Sequence, residues 1–137
     1  MAALIVAAAI LHPWHAPTGG DVARGLATYA DPGVFEGVAA YRALDTRGYT
    51  GLVALNPAGD LGRVVWLERA GVFEGPFLVV DCARATDYAT RVDAHLVIEV
   101  DWPTAERWGM RGPEAVTVHF RRPRMASYAI VKVLHPV

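Results

Sequence analysis

Lysine is almost missing from this 137-residue chain: Lys132 is the only one, and arginine supplies every other basic side chain. That skew follows genome composition as readily as function and carries no functional weight. Cysteine is equally scarce. Cys82 stands alone, which excludes an internal disulfide, and beside Asp81 it reads as a small packing residue rather than a nucleophile. An excess of one charge is absent too. A net charge of −1 argues against nucleic-acid binding driven by counterion release. There is no Gly-rich phosphate loop, Gly-x-Ser-x-Gly elbow or Cys-x-x-Cys pair. His12 and His15 lie three apart with no acid or Cys nearby, and His95, His119 and His135 are scattered, so no metal or other cofactor is expected.

The first twenty residues carry no Lys, Arg, Asp or Glu, and Ala2 to Leu11 is wholly apolar. Ten residues fall short of the ~20 that a membrane helix needs. Three readings of residues 1–20 stand: a truncated signal peptide, an interfacial membrane anchor, or a strand that packs on this chain or a neighbouring copy. The first is favoured by the alanine content and the position, and it places the protein outside the cytoplasm, secreted or in the cell envelope. At the other end no acid follows Glu114, while Arg121, Arg122, Arg124 and Lys132 do. This basic strip reads as a solvated edge, with contact to an anionic polymer as the alternative.

Between these ends the chain is 53% apolar and 20% charged, enough for one folded core. Turn signals come at short intervals: Asp31-Pro32-Gly33, Arg47-Gly48, Asn56 to Asp60, Ala70-Gly71, Arg111-Gly112-Pro113 and Arg122-Pro123. The segments between them predict strands near 24–30, 36–42, 51–55, 63–69, 76–81, 96–101, 115–121 and 126–134. Such a pattern points to an all-β sandwich or small barrel. Gly71 predicts a hairpin with a longer loop between the strands at 63–69 and 75–81. One short helix is expected at 104–108. Pro103 suits its first turn, Asp101 or Trp102 its cap, and Gly109 its left-handed end.

The order of several short motifs resembles a known family. Val79-Val80-Asp81 is similar to a strand that ends in Asp before a loop. Glu99-Val100-Asp101 falls where that family has an Asp-Leu-Ser-like element, and Thr104-Ala105-Glu106-Arg107-Trp108-Gly109-Met110 resembles the Ala-Ala-x-x-Leu-Gly-Met helix after it. Asp60-Leu61-Gly62-Arg63-Val64-Val65 resembles Pro-Leu-Gly-Thr-x-Val, and Ala27-Thr28-Tyr29 the first strand. The family is the double-psi β-barrel of rare-lipoprotein-A-like proteins, barwin and the expansin N-terminal domain, and the resemblance covers about residues 25–120. It implies a small closed six-stranded barrel over 21–122, with added segments at 1–20 and 123–137. A polysaccharide partner, peptidoglycan or another glycan, is implied with it. The chain also departs from the family. Asn56 stands where members that cleave peptidoglycan have a His, and Asp-Arg-Gly-Pro reads Asp81-Cys82-Ala83-Arg84.

Glycan cleavage needs a proton donor and usually a second carboxylate. The candidates are Asp81 as the acid with Asp101 or Glu99 as partner. Strand alternation puts Glu99 and Asp101 on one face; facing a cleft they would crowd Asp81 and raise one pKa, while facing outward they leave Asp81 as a turn-capping carboxylate. Binding needs aromatic faces and polar readers, for which Trp102, Tyr88, Tyr29, Arg84 and Asn56 are the candidates; Trp108 is expected in the core. The expected function is therefore cell-wall glycan binding with degenerate catalytic residues. The alternatives are an active lytic transglycosylase or glycosidase, and a self-assembling extracellular protein that pairs its terminal strands.

Overall fold

A computed structural model of the chain describes residues 22–123. The expected leader at 1–20, and the strand expected at 126–134 in the C-terminal extension, lie outside the described residues. Six strands run as β1 (Val22–Tyr29), β2 (Gly51–Leu55), β3 (Val64–Arg69), β4 (Val72–Cys82), β5 (Leu96–Val100) and β6 (Glu114–His119). They close into a barrel in the order β1-β5-β2-β4-β3-β6. The all-β, closed six-stranded barrel expected from the sequence is the fold.

Its topology has an internal twofold. The pairings β1–β5 and β2–β4 are parallel and the other four antiparallel. Exchanging β1 with β4, β2 with β5 and β3 with β6 returns the same closed order and the same directions. The local axis passes through one residue pair. Val53 faces Val100, Ala54 faces Glu99 and Leu55 faces Ile98, so laying Ala54 onto Glu99 maps this register onto itself. Asn56 and Asp101, the first residues beyond β2 and β5, become equivalents. Each reaches back to the start of the opposite strand: the Asn56 amide donates to the Leu96 carbonyl at 2.9 Å, and the Asp101 carboxylate accepts from the Leu52 amide at 2.9 Å. Both are buried, and they tie the crossing of the two halves.

Alternation along the strands separates two apolar clusters. Val53, Leu55, Val65, Leu67, Phe77, Val79, Ile98, Val100 and Val118 fill the barrel with Trp108. Leu52, Ala54, Leu78 and Val80 face outward and are covered by Phe35 and Ala39. Those two lie four apart on α1 (Val34–Tyr41), a spacing that puts them on one helix face. The strand expected at 36–42 is thus a helix. Asp31-Pro32-Gly33 turns the chain into it, with Gly33 left-handed at φ 81°. Helix α2 (Tyr88–Asp93) buries none of its residues, and α3 (Trp102–Trp108) corresponds to the one helix expected. Among the described residues there are therefore three short α-helices and a 3-10 turn at Ala58–Asp60. None is long and apolar enough to cross a membrane.

The β3–β4 hairpin is tighter than expected. Arg69 pairs with Val72, leaving a two-residue loop in which Ala70 and Gly71 both have positive φ, 51° and 78°. That conformation matches the right-handed twist of the flanking strands.

Candidate functional site

Four strands carry one row of side chains across the outer wall: Thr28 beside Glu99, Glu99 beside Ala54, and Ala54 beside Asp81. The twofold axis runs through the middle of this row. A register slip between Val53 and Ala54 puts Asp81, not Val80, opposite Ala54. Bulges of this kind re-aim side chains, and this one carries Asp81 past the edge of the α1 cluster. Asp81 and Glu99 therefore share one face, with the small Ala54 side chain between them.

Each acid has an arginine from a neighbouring helix or its end. Arg42, just past α1, donates to Asp81 at 3.1 Å. Arg91 of α2 places its guanidinium 3.8 Å from Glu99 and donates from Nε to the Asn56 side-chain oxygen at 2.6 Å. Asn56 is thereby used internally, with its amide on Leu96 and its oxygen on Arg91. It positions Arg91 and is 1% exposed, which removes it from the residues that could touch a glycan directly.

Glu99 is half-buried, and burial pushes its carboxyl above the ordinary carboxylate range. Arg91 opposes this shift, while the charges of Asp81 and Asp31 add to it. A raised folded-state pKa means the native chain holds this proton more tightly than the unfolded chain does. The resulting stabilisation is complete below the unfolded carboxylate pKa and is lost as pH rises through the folded value. Glu99→Gln should accordingly melt near wild type at about pH 4, where both side chains are uncharged, and gain on wild type as pH is raised to neutrality. Thermal melts at pH 4 to 7 measure this, and a constant gap between the two proteins across that range would refute it.

Asp101 does different work from the pair with which it was grouped. Its two oxygens accept from the Leu52 amide and, at 3.1 Å, from the Thr104 amide, which makes it the N-cap of α3. Buried and spent on backbone donors, it is a structural residue. Glu99 and Asp101 are neighbours on β5 and its end, but only Glu99 joins Asp81.

The remaining candidates divide in the same way. A groove of about 470 Å³ opens at the end of β4, lined by Asp81, Cys82, Arg84, Asp87, Thr90 and Arg91. Arg84 is in it, exposed, its Nε donating to Asp87 at 2.8 Å. Cys82 is half-buried in the groove wall rather than packed in the core. Tyr88, expected in a loop, is the first residue of α2 and half-buried. Tyr29 and Trp102 meet edge to face, 5.8 Å between ring centroids. Tyr29 packs against the barrel interior, so this aromatic pair stands at the barrel end and does not continue the row of acids. Trp108 is in the core, as expected.

Sequence reasoning missed Arg42, Arg91, Asp31 and Thr90. Asp31 was visible only as a turn residue. Arg42 meets Asp81 39 residues away, and Arg91 meets Asn56 35 residues away and Glu99 across the turn from α2 into β5; no local spacing signals such contacts. No group of three or more His, Cys, Asp or Glu side chains able to hold a metal forms among the described residues. Compared with protein-family models and with the curated proteins, the chain matches none.

Proposed function

We propose that this barrel binds a polysaccharide of the cell envelope in the groove between the end of β4 and α2. The observation that carries the reading is the groove itself: it is open, it is lined by charged and hydroxyl side chains, and it takes in Asp81 from the row of acids and Arg91, the partner of Glu99. Ligand sites need a concavity with a few convergent polar groups, and sugar hydroxyls take the paired donors and acceptors that Arg84, Asp87 and Thr90 offer. The uncharged first twenty residues and the resemblance to wall-engaging barrels support an extracytoplasmic place for it.

Wild-type protein is expected to bind soluble, peptide-free strands of cell-wall glycan in equilibrium titration. Thr90→Trp, an exposed position on α2, should fill the groove and weaken binding by about tenfold, on the order of 1.4 kcal/mol, with an unchanged melting temperature. Strands that fail to bind, or bind Thr90→Trp as well as wild type, would remove the proposal.

A second reading has one observation in its favour, the raised pKa of Glu99 close to a second carboxylate. Glu99 would donate a proton to the glycosidic oxygen and Asp81, ion-paired with Arg42, would act as base. This reverses the roles expected from sequence. One strand, β2, lies between the acids, so their backbones stand two strand spacings apart, about 10 Å, which suits the wider carboxylate spacing of inverting enzymes, roughly 6.5–9.5 Å. Soluble fragments released by wild type and absent with Glu99→Gln would favour it. The assembly reading draws least support. Barrel closure leaves no unpaired edge among these six strands, so strand pairing between copies would rest on residues outside 22–123.

A further inference from the structure

The arginines at the groove are matched one to one by acids, yet they hold those acids with donors to spare. Asp81 is matched by Arg42 and Asp87 by Arg84. Arg91 is the third guanidinium, and its acid, Glu99, is set back at 3.8 Å behind it. The three arginines also keep donors in hand. Arg84 bonds Asp87 through Nε alone, and its side chain is 83% exposed. Arg42 uses one terminal nitrogen on Asp81. Arg91 uses Nε on Asn56 and turns Nη1 toward Glu99. Each therefore retains at least one terminal N–H group. Arg84 and Arg91 line the groove directly, and Arg42 flanks its Asp81 wall.

Guanidinium forks bind carboxylates through paired, charge-assisted hydrogen bonds. Two of them lining one concavity, each with unused donors and with the nearby acids already paired, suit a carboxylate better than an uncharged hydroxyl. We infer that the groove selects glycans bearing carboxylate groups, and that Arg84 and Arg91 grip the carboxylate while Thr90 and Asp87 take neighbouring hydroxyls. This rests on the glycan-binding reading and names the chemical class of its ligand. Asn56 then acquires a role: by accepting from Nε it fixes the Arg91 plane and leaves its terminal nitrogens for the ligand.

The test uses peptide-free cell-wall glycan strands, which carry a lactyl carboxylate on alternate sugars, and the same strands with those carboxylates amidated. Wild type should bind the carboxylated strands at least about tenfold more tightly than the amidated ones, the range of one charge-assisted contact. Arg84→Gln and Arg91→Gln should each erase most of that preference, so that carboxylated and amidated strands bind each variant about equally. Arg84 is exposed and outside the core, so its variant keeps the test valid even if Arg91→Gln lowers the melting temperature. Arg24→Gln, exposed on β1, is the control for general charge and should keep the full preference. Equal binding of both strands by wild type overturns the carboxylate inference and leaves glycan binding standing. An equal loss in Arg24→Gln overturns it as well. Failure to bind either strand overturns the glycan reading itself.

Discussion

Replacing Asp101 by Ala is expected to destabilise the protein by about 3 kcal/mol, roughly 1 from the lost helix cap and about 2 from a buried amide left unpaired. Both donors it serves are main-chain groups in the interior, Leu52 at the start of β2 and Thr104 in the first turn of α3. Water cannot replace it at 4% exposure. Asparagine should be little better. The two oxygens of Asp101 each accept one N–H; an amide presents one oxygen and an NH2 group, so one donor would face another. A loss of about 2 kcal/mol is expected for Asp101→Asn, half to two-thirds of the alanine value. Asp81→Asn gives the contrast. Its partner Arg42 and Asp81 itself are both about one-third exposed, and such pairs contribute roughly 0–1 kcal/mol. Denaturant unfolding of the three variants therefore separates the acids by role. If Asp101→Ala were as stable as wild type, the structural role would be wrong and Asp101 would return to the candidate ligand-binding set.

That same residue shows how far the sequence could be read. Asp101, Pro103 and Gly109 spell a helix start and stop within nine positions. The structure has the cap, the helix and the left-handed end where those residues put them, Gly109 at φ 68°. Capping depends on neighbours in the chain, so it is legible there. The hairpin at Ala70-Gly71 is legible for the same reason, although its two-residue length was not. The segment 36–42 reads as a strand because it is short and largely apolar, and length and composition alone cannot separate a covered helix from a buried strand. What decides it is the outward cluster of Leu52, Ala54, Leu78 and Val80, which exists only once β2 and β4 have paired.

The site was half legible. Asp81 and Glu99 stood out as acids at strand ends, and the structure puts them in one row. Their company could not be foreseen by counting. Alternation gave Glu99 and Asp101 the same face, but β5 ends between them and Asp101 turns to cap a helix. The register slip that aims Asp81 is a property of two strands, and the arginines that hold the acids arrive from connections α1 and α2. By the internal twofold these two connections are equivalents, one joining β1 to β2 and the other β4 to β5. Each contributes one arginine to one acid, Arg42 to Asp81 and Arg91 to Glu99. The row itself is unequal: Glu99 is the equivalent of Ala54, so an acid stands beside the axis on one side and a small apolar side chain on the other.

The far end of α3 carries the second large expected effect. Glu74 is buried on β4 and accepts from the Arg107 guanidinium and, at 2.7 Å, from the Trp108 indole N–H. Trp108 is a core residue of the barrel, and the Arg69 guanidinium lies over its ring at 4.8 Å while pairing with Glu114 at 3.1 Å. Glu74 thus fixes the helix end to β4 just as Asp101 fixes its beginning to β2. Removing it with Glu74→Ala strands the indole N–H in the interior and leaves Arg107 without this carboxylate. Breaking a fully buried pair costs about 3–5 kcal/mol. Arg107 is one-third exposed and can be hydrated, so the expected loss is near the bottom of that range, about 3 kcal/mol, or roughly 10–15 °C in Tm for a domain of this size. Glu74→Gln keeps an acceptor for Trp108 and should recover about half. The ordering tests the assignment. If Glu74→Gln proved as damaging as Glu74→Ala, charge pairing with Arg107 and not support of the indole would be the main contribution; if Glu74→Ala melted like wild type, α3 would be held by its apolar face alone.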